Sequence, residues 1–248
     1  MKNFFKTPTQ YGYLIKLLIR VLIFAGVFTL YLTHKDFLHY IFVTPIWKEF
    51  APLHLLWIIF MVMMIRHLIP TNAKFISMAS KKMHTDEYVK VLGYSELELS
   101  RFIHDQNIKA WTVMLIWLII NGIWGLLYVF GIVDDADLLM LSVFYFLADY
   151  ICIIFFCPFQ NFIMRNKCCV NCRIYDWGHF MMFTPMLFIQ NFYSWSLFFT
   201  SCVVLIHWEI VYAKHPERFW SGSNQVLQCN YCRDKTCHIK ERLHDVKR

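Results

Sequence analysis

The sequence predicts an all-α integral membrane protein with about six transmembrane helices, the last two in a tight hairpin, and a short Cys-rich cytoplasmic tail. Apolar residues make up 58% of the 248 residues and charged residues only 17%, below the roughly 25% charged residues of a soluble domain. A soluble domain of this length could not bury so much apolar surface. The apolar residues are also collected in stretches of membrane-spanning length, and the basic residues lie between them.

Each predicted span follows from its length, because a bilayer core about 30 Å thick requires a helix of roughly 20 apolar residues. Four stretches have nearly this length: 14–33, 51–69, 110–132 and 138–157. The stretch 177–213 is too long for one span and short for two, so we interpret it as a hairpin with arms 177–191 and 194–213. The first arm is expected to be short or tilted and bent near Pro185. Five spans with a re-entrant segment is the alternative.

Basic residues predict the side of the membrane on which each loop lies, because short cytoplasmic loops carry an excess of Lys and Arg. Seven such residues lie in 66–109, three in 158–176 and eight from Lys214 onward. By contrast, 134–137 (DDAD) has none. If the spans number six, every basic segment lies on one side, so both the N- and the C-terminus are predicted to be cytoplasmic.

Two segments outside the spans have a recognisable pattern. In SELELSRFIHDQ, Ser95 is followed three residues later by Glu98, which is typical of a helix N-terminus. A cytoplasmic helix is therefore predicted to run into the third span. On the other side, the aromatic-rich stretch 35–50 is predicted to lie at the membrane interface.

The chain shows no internal repeat, Gly-rich phosphate loop or low-complexity linker. We therefore predict one polytopic membrane domain, 1–213, with cytoplasmic loops at 70–109 and 158–176, followed by a basic Cys-rich tail, 214–248. The net charge is +7, but no separate basic domain exists to hold a duplex, so nucleic acid is not an expected partner.

Seven of the nine cysteines are predicted to face the cytoplasm, and the other two lie inside spans. The cytoplasm is reducing, which makes structural disulfides a poor explanation. Cys169 and Cys172 form one C-x-x-C pair in the loop, and Cys229 and Cys232 form another in the tail. Two such pairs supply the four thiolates of a tetrahedral structural zinc site. The sequence thus predicts a zinc ion that joins loop 158–176 to the tail.

The remaining cytoplasmic thiols, Cys157, Cys168 and Cys237, are alternative ligands and exceed what one zinc ion requires. An iron–sulfur cluster also takes four cysteines and is the alternative cofactor, although the C-x2-C-x2-C run of bacterial ferredoxins is absent. Thiol redox chemistry is a third hypothesis. Structural zinc is favoured because the paired C-x-x-C turns fit it with the fewest assumptions.

Ionisable residues inside the spans are functional candidates because their burial in the bilayer is costly. The catalytic candidates are Asp149, His179, His207 and Glu209. At 1.5 Å per helical residue, all of them lie within roughly 12 Å of the cytoplasmic ends of their spans. They are predicted to form a polar pocket in the inner half of the bilayer, over the metal site. In the alternative interpretation they are only paired, for example Asp149 with Arg20.

Two functions follow as hypotheses. In the first, the zinc is structural, and the polar pocket binds a substrate or lipid, as in a small lipid-modifying enzyme, a transporter or an assembly factor. In the alternative, the protein is a membrane redox or electron-transfer subunit whose iron–sulfur cluster exchanges electrons with quinone. The expected partners are the lipid bilayer, a quinone or lipid substrate, and partner membrane subunits.

Overall fold

A computed structural model describes residues 8–43, 52–69, 78–83, 88–166, 168–232, 234–235 and 237. These residues form α-helices joined by short 3₁₀- and π-helical segments. The α-helices are α1 (Pro8–Thr33), α2 (Lys35–Val43), α3 (Pro52–Leu68), α4 (Met78–Lys81), α5 (Glu96–Val129), α6 (Asp135–Ile154), α7 (Gly178–Phe183) and α8 (Phe192–Lys214).

Among the residues that the structure describes, four helices are long and apolar enough to cross a membrane, as expected of an α-helical membrane protein. They are Gln10–Thr33, Glu96–Val129, Asp135–Ile154 and Phe192–Lys214. They coincide with the predicted spans 14–33, 110–132, 138–157 and 194–213. Helix α5 has 34 residues, roughly 51 Å at 1.5 Å per residue. The predicted helix that starts after Ser95 and the third span are therefore one continuous helix.

The two other predicted spans have a different structure. The stretch 51–69 contains α3, whose apolar part, His54–Leu68, is shorter than the four long helices. The stretch 177–191 contains the six-residue α7, followed by a 3₁₀-helix at Thr184–Phe188. Pro185 explains the change, because its ring and missing N–H disfavour a continued α-helix. The two pieces rise roughly 19 Å together, so six spans and the hairpin stay a prediction.

Side-chain caps determine where the long helices begin. Ser95 Oγ accepts a hydrogen bond from Glu98 N at the start of α5, as predicted from the sequence. Asp134 caps α6 through a reciprocal pair of bonds with Asp137, at 3.0 and 2.9 Å. Lys35 of α2 lies 2.8 Å from both carboxylates and ties α2 to this end of the bundle. We call it the aspartate end, after residues 134–137.

The helices pack side by side around a shared apolar core. Helix α1 packs along α6, α3 packs along α8, and α7 with its 3₁₀ extension lies between α6 and α8. At the opposite end from the aspartates, loop residues 168–177 and tail residues 215–232 cover the helix ends. We call this the cysteine end.

Candidate functional site

An ion pair between α1 and α6 lies toward the cysteine end. Arg20 Nη1 donates to Asp149 Oδ2 at 2.8 Å and also to the carbonyl oxygen of Phe146. The guanidinium carbon lies 4.1 and 3.9 Å from the ring centroids of Phe146 and Tyr150. The charge of the catalytic candidate Asp149 is therefore compensated by Arg20, and the pair fixes α1 against α6.

A second polar group lies beside this pair and combines residues from three elements. Ser80 Oγ donates to Asp176 Oδ1 at 2.7 Å, and His67 Nδ1 lies 3.7 Å from Asp176 Oδ2. The ring centroids of His67 and His179 are 5.1 Å apart. Burial opposes the ionisation of Asp176, but the neighbouring His67 and Ser80 hold its pKa below the ordinary value.

Gly178 connects the two polar groups. It precedes His179, and a Cβ atom at this position would lie 3.0 Å from Asp149 Oδ1. Because glycine has no side chain, α7 can begin in close contact with the ion pair. The structure thus brings together Asp149 and His179, two of the four predicted candidates, with Arg20. His67, Ser80 and Asp176 were not predicted from the sequence. The run YDWGH could have indicated Asp176, because this acidic residue lies three positions before His179.

The other two candidates, Glu209 and His207, lie on α8 and are not part of this cluster. Glu209 Oε1 accepts hydrogen bonds from Arg173 Nη1 at 2.6 Å and from Trp177 Nε1 at 2.8 Å. His207 is two residues away, which turns its side chain about 200° around the helix from Glu209. Within the described residues, His207 Nδ1 has no hydrogen-bond partner. Glu209 therefore serves to anchor the loop to α8.

Both predicted C-x-x-C segments form the same turn. Cys172 N donates to Cys169 O at 3.0 Å, and Cys232 N donates to Cys229 O at 3.3 Å. The loop pair is buried, whereas Cys229 is exposed. Burial raises the pKa of the Cys172 and Cys232 thiols. These two thiols are therefore neutral at pH 7 in the absence of a cation, which disfavours a role as redox nucleophiles.

The loop and the tail meet at a small apolar cluster. Val170 and Leu227 are its buried members, and Cys168 and Cys232 pack against them. One thiol from each segment therefore lies at the contact. Within the part of the chain that the structure describes, no group of three or more His, Cys, Asp or Glu side chains is arranged to hold a metal ion. The metal site stays a prediction.

Cys169 contacts the end of α6 and the segment that follows it. Its thiol donates to Gln160 Oε1 at 3.2 Å and lies 3.7 Å from the carbonyl oxygen of Ile153. Cys152 and Cys157 share a hydrogen bond close by. The neighbouring cysteines Cys168 and Cys169 therefore have different surroundings. Cys168 contacts the tail, and Cys169 contacts the end of α6.

A buried lysine, Lys82, lies among the loop cysteines. Its ammonium donates to the carbonyl oxygen of Cys172 at 3.0 Å. The rings of Trp208 and Phe219 lie 5.7 and 5.8 Å from the same nitrogen. Burial lowers the pKa of Lys82 to about 8, although the nearby Cys172 acts in the opposite direction. No local pattern in the sequence marks this residue.

The tail is folded onto the rest of the cysteine end. Tyr13 of α1 and Asp234 are hydrogen-bonded at 3.2 Å. The tail also pairs with the segment before α5, where Val91 N donates to Ser223 O at 2.9 Å. The start of α1, the segment before α5 and the tail therefore form one layer with the cysteine loop.

Comparisons with known proteins add no relative. No protein-family model matches the chain, and no curated protein or solved structure is significantly similar to it. The residues and contacts described above are therefore what can indicate its function.

Proposed function

We propose that this membrane protein uses a cytoplasmic thiol metal site, a structural zinc, to join loop 158–176 to its tail, and binds a substrate or lipid at the polar cluster beside it. The contact between the loop and the tail carries the proposal, because it brings Cys168 next to Cys232 across Val170 and Leu227. A zinc ion at this contact would link the loop and the tail directly.

The ligands that we propose are Cys169, Cys172, Cys229 and Cys232, with Cys168, Cys157 and Cys237 as alternates. The contact of Cys168 with the tail favours this alternate as a ligand. Identical turns in the two C-x-x-C segments support a tetrahedral site. Four thiolates on Zn²⁺ leave a net charge of about −2, and the buried ammonium of Lys82 lies where it would offset that charge.

The pairing of the 178–188 segment with α8 supports the proposal that the chain crosses the membrane six times. At one end of the pair, Trp177 donates to Glu209. At the other, Trp195 Nε1 donates to Leu187 O at 3.2 Å. The two segments therefore run antiparallel. The 178–188 segment and α3 would add two crossings to the four long helices, of which α8 is one.

An even number of crossings also agrees with the layer at the cysteine end. The hydrogen bond between Tyr13 and Asp234 joins the start of α1 to the tail, so both lie on one side of the membrane. Basic residues are concentrated in the same layer. We therefore propose that this side is cytoplasmic.

The polar cluster of Arg20, His67, Asp149, Asp176 and His179 is the proposed substrate site. Its acidic groups face a guanidinium and a histidine, so its charges are largely compensated internally. A compensated cluster favours a neutral or zwitterionic polar group over a free anion or cation. Within this cluster, Asp149 and His179 are the proposed catalytic candidates.

Elemental analysis and an absorption spectrum of the protein, purified in detergent without oxygen, test the metal proposal. We expect about one zinc per chain and no visible absorbance. Cys169→Ser and Cys232→Ser should each lose most of the bound zinc. The matched control is Cys202→Ser, because this thiol lies inside α8 and outside both groups. Asp149→Asn should also keep its zinc.

Three results would contradict this assignment. Wild-type protein without metal overturns the site. Full zinc in both thiol variants means that the ligands are assigned wrongly. A loss of zinc in Asp149→Asn means that the metal site and the polar cluster are one site.

The alternative function, electron transfer to quinone through an iron–sulfur cluster, is favoured by one observation. Cys152 and Cys157 lie next to Cys169 at the end of α6, so the loop has more thiols than a zinc site needs. Iron with matching sulfide and a brown colour that dithionite bleaches would establish this alternative in place of structural zinc.

A further inference from the structure

An apolar pocket lies in the half of the bundle nearer the aspartate end, away from the cysteines. It lies between α1, α3, α6, α7 and α8. Apolar pockets with a few polar groups on their walls are typical sites for small organic ligands. Phe146 on its wall is three residues before Asp149 and contacts Arg20, so the pocket reaches to the ion pair.

Six of the fifteen residues that line the pocket carry an aromatic ring. The ring centroids of His54 and Tyr193 are 5.0 Å apart, and those of Phe60 and Phe146 are 5.1 Å apart. Trp57 lies 5.6 Å from Tyr193 by the same measure. Aromatic walls stack well against a planar ring. The lining contains no charged side chain in the described part of the chain, which disfavours a phospholipid headgroup.

One polar group on the wall has no partner. Ser142 is 3% exposed, and its hydroxyl has no hydrogen-bond partner among the described residues. Serine and threonine in helices usually donate to the carbonyl of the preceding turn. Ser201, for example, donates to Phe198 O at 2.6 Å. Since Ser142 makes no such bond, its hydroxyl is available to a ligand that carries a hydrogen-bond acceptor.

Two residues that line the pocket, Leu56 on α3 and Val143 on α6, are partly exposed. A ligand that enters between them would come from the bilayer, which selects lipid-soluble molecules. A saturated acyl chain is also lipid-soluble, but within the pocket it would offer no hydrogen-bond acceptor to the Ser142 hydroxyl.

We propose that this pocket binds a quinone, with its ring against the aromatic walls and one carbonyl oxygen accepting a hydrogen bond from Ser142 Oγ. The isoprenoid tail would leave past Val143 into the bilayer. Quinone is neutral, planar and lipid-soluble, which matches the absence of charge, the aromatic walls and the lateral opening. The proposal does not depend on which metal the cysteines bind, so its failure and the failure of the zinc site are distinguishable.

Saturable binding of a tritiated short-chain quinone to the full-length protein in nanodiscs tests this proposal. We expect about one quinone per chain, displaced by unlabelled quinone and not by oleate. Ser142→Ala should weaken binding about 5- to 10-fold, because it removes the only proposed donor. Val143→Phe should abolish binding by narrowing the opening.

Ser201→Ala is the matched control, because this serine is equally buried but bonded within α8. Its affinity for quinone should equal that of wild type. Thermal unfolding of each variant establishes that it is folded. Absence of saturable binding, or wild-type affinity in either Ser142→Ala or Val143→Phe, overturns the proposal. Displacement by oleate as effective as by quinone overturns it too, because the pocket would then be a general acyl-chain site.

Discussion

Asp176 joins three separate parts of the chain through one carboxylate. Ser80 donates to it from α4, His67 approaches it from α3, and Asp176 itself lies two residues before α7. A buried carboxylate with such partners is kept ionised by the fold. Its protonation should therefore loosen both contacts together.

This predicts how stability depends on acid. The pKa of Asp176 in the folded protein lies below its ordinary value of 3.8. Around that pH the unfolded chain binds the proton more readily than the folded chain, so stability rises with pH. The contribution is complete above pH 3.8 and is lost as the pH falls through the lower, folded pKa. Asp176→Asn should lower the Tm and flatten its acid dependence, measured by tryptophan fluorescence in detergent.

Asp105→Asn provides the control for that experiment. Asp105 is exposed on α5, pairs with Lys109 four residues later and accepts a hydrogen bond from its neighbour Gln106. Exposed pairs of this kind contribute little to stability, so this variant should keep the acid dependence of wild type. Equal behaviour of the two variants would contradict the role of Asp176.

At the scale of elements, the 3₁₀-helix after Pro185 packs against α5 at a glycine. A Cβ atom at Gly125 would lie 2.2 Å from Phe188 Cζ, whereas one at Gly122 meets nothing within 4 Å. The small residue thus allows the ring of Phe188 to lie on the backbone of α5. This contact holds the irregular segment against a regular helix.

The two glycines form a matched pair for mutation. Gly125→Ala should destabilise the protein by about 1–3 kcal/mol, because the ring of Phe188 must move. Gly122→Ala should leave stability equal or raise it slightly, since alanine favours a helix. Thermal unfolding of both variants in detergent measures the difference. In a Phe188→Ala background, the effect of Gly125→Ala should disappear; if it persists, the contact does not explain it.

Four of the predicted spans could be located from sequence because each is an uninterrupted apolar stretch. The predicted ends of the spans were less accurate. The span predicted at 138–157 is the helix Asp135–Ile154, because Asp134 caps the helix before the apolar stretch begins. The polar cluster could be predicted only in part. Ser80 and Asp176 are separated by 96 positions, and no spacing pattern reports a contact between such distant loops.

At the scale of the whole molecule, the layer at the cysteine end predicts the topology. A reporter fused after Arg248, or inserted in the segment before α5, should be cytoplasmic. One inserted between Gly131 and Asp134 should lie on the opposite side, because α5 and α6 each cross once. Reporter activity in intact cells measures these positions. A C-terminal reporter on the same side as the 131–134 reporter would contradict six crossings and favour five.

The bond between Tyr13 and Asp234 also determines the order of assembly. The two residues are 221 positions apart, so the bond cannot form until the ribosome has released the tail and α8 has been inserted. Until that moment, the cysteine loop and the start of α1 lack the surface that covers them. With the proposed topology, a chain that inserts α8 in the opposite direction would place its tail on the other side of the membrane and could not form this bond. Closure of the tail would therefore mark a correctly inserted chain.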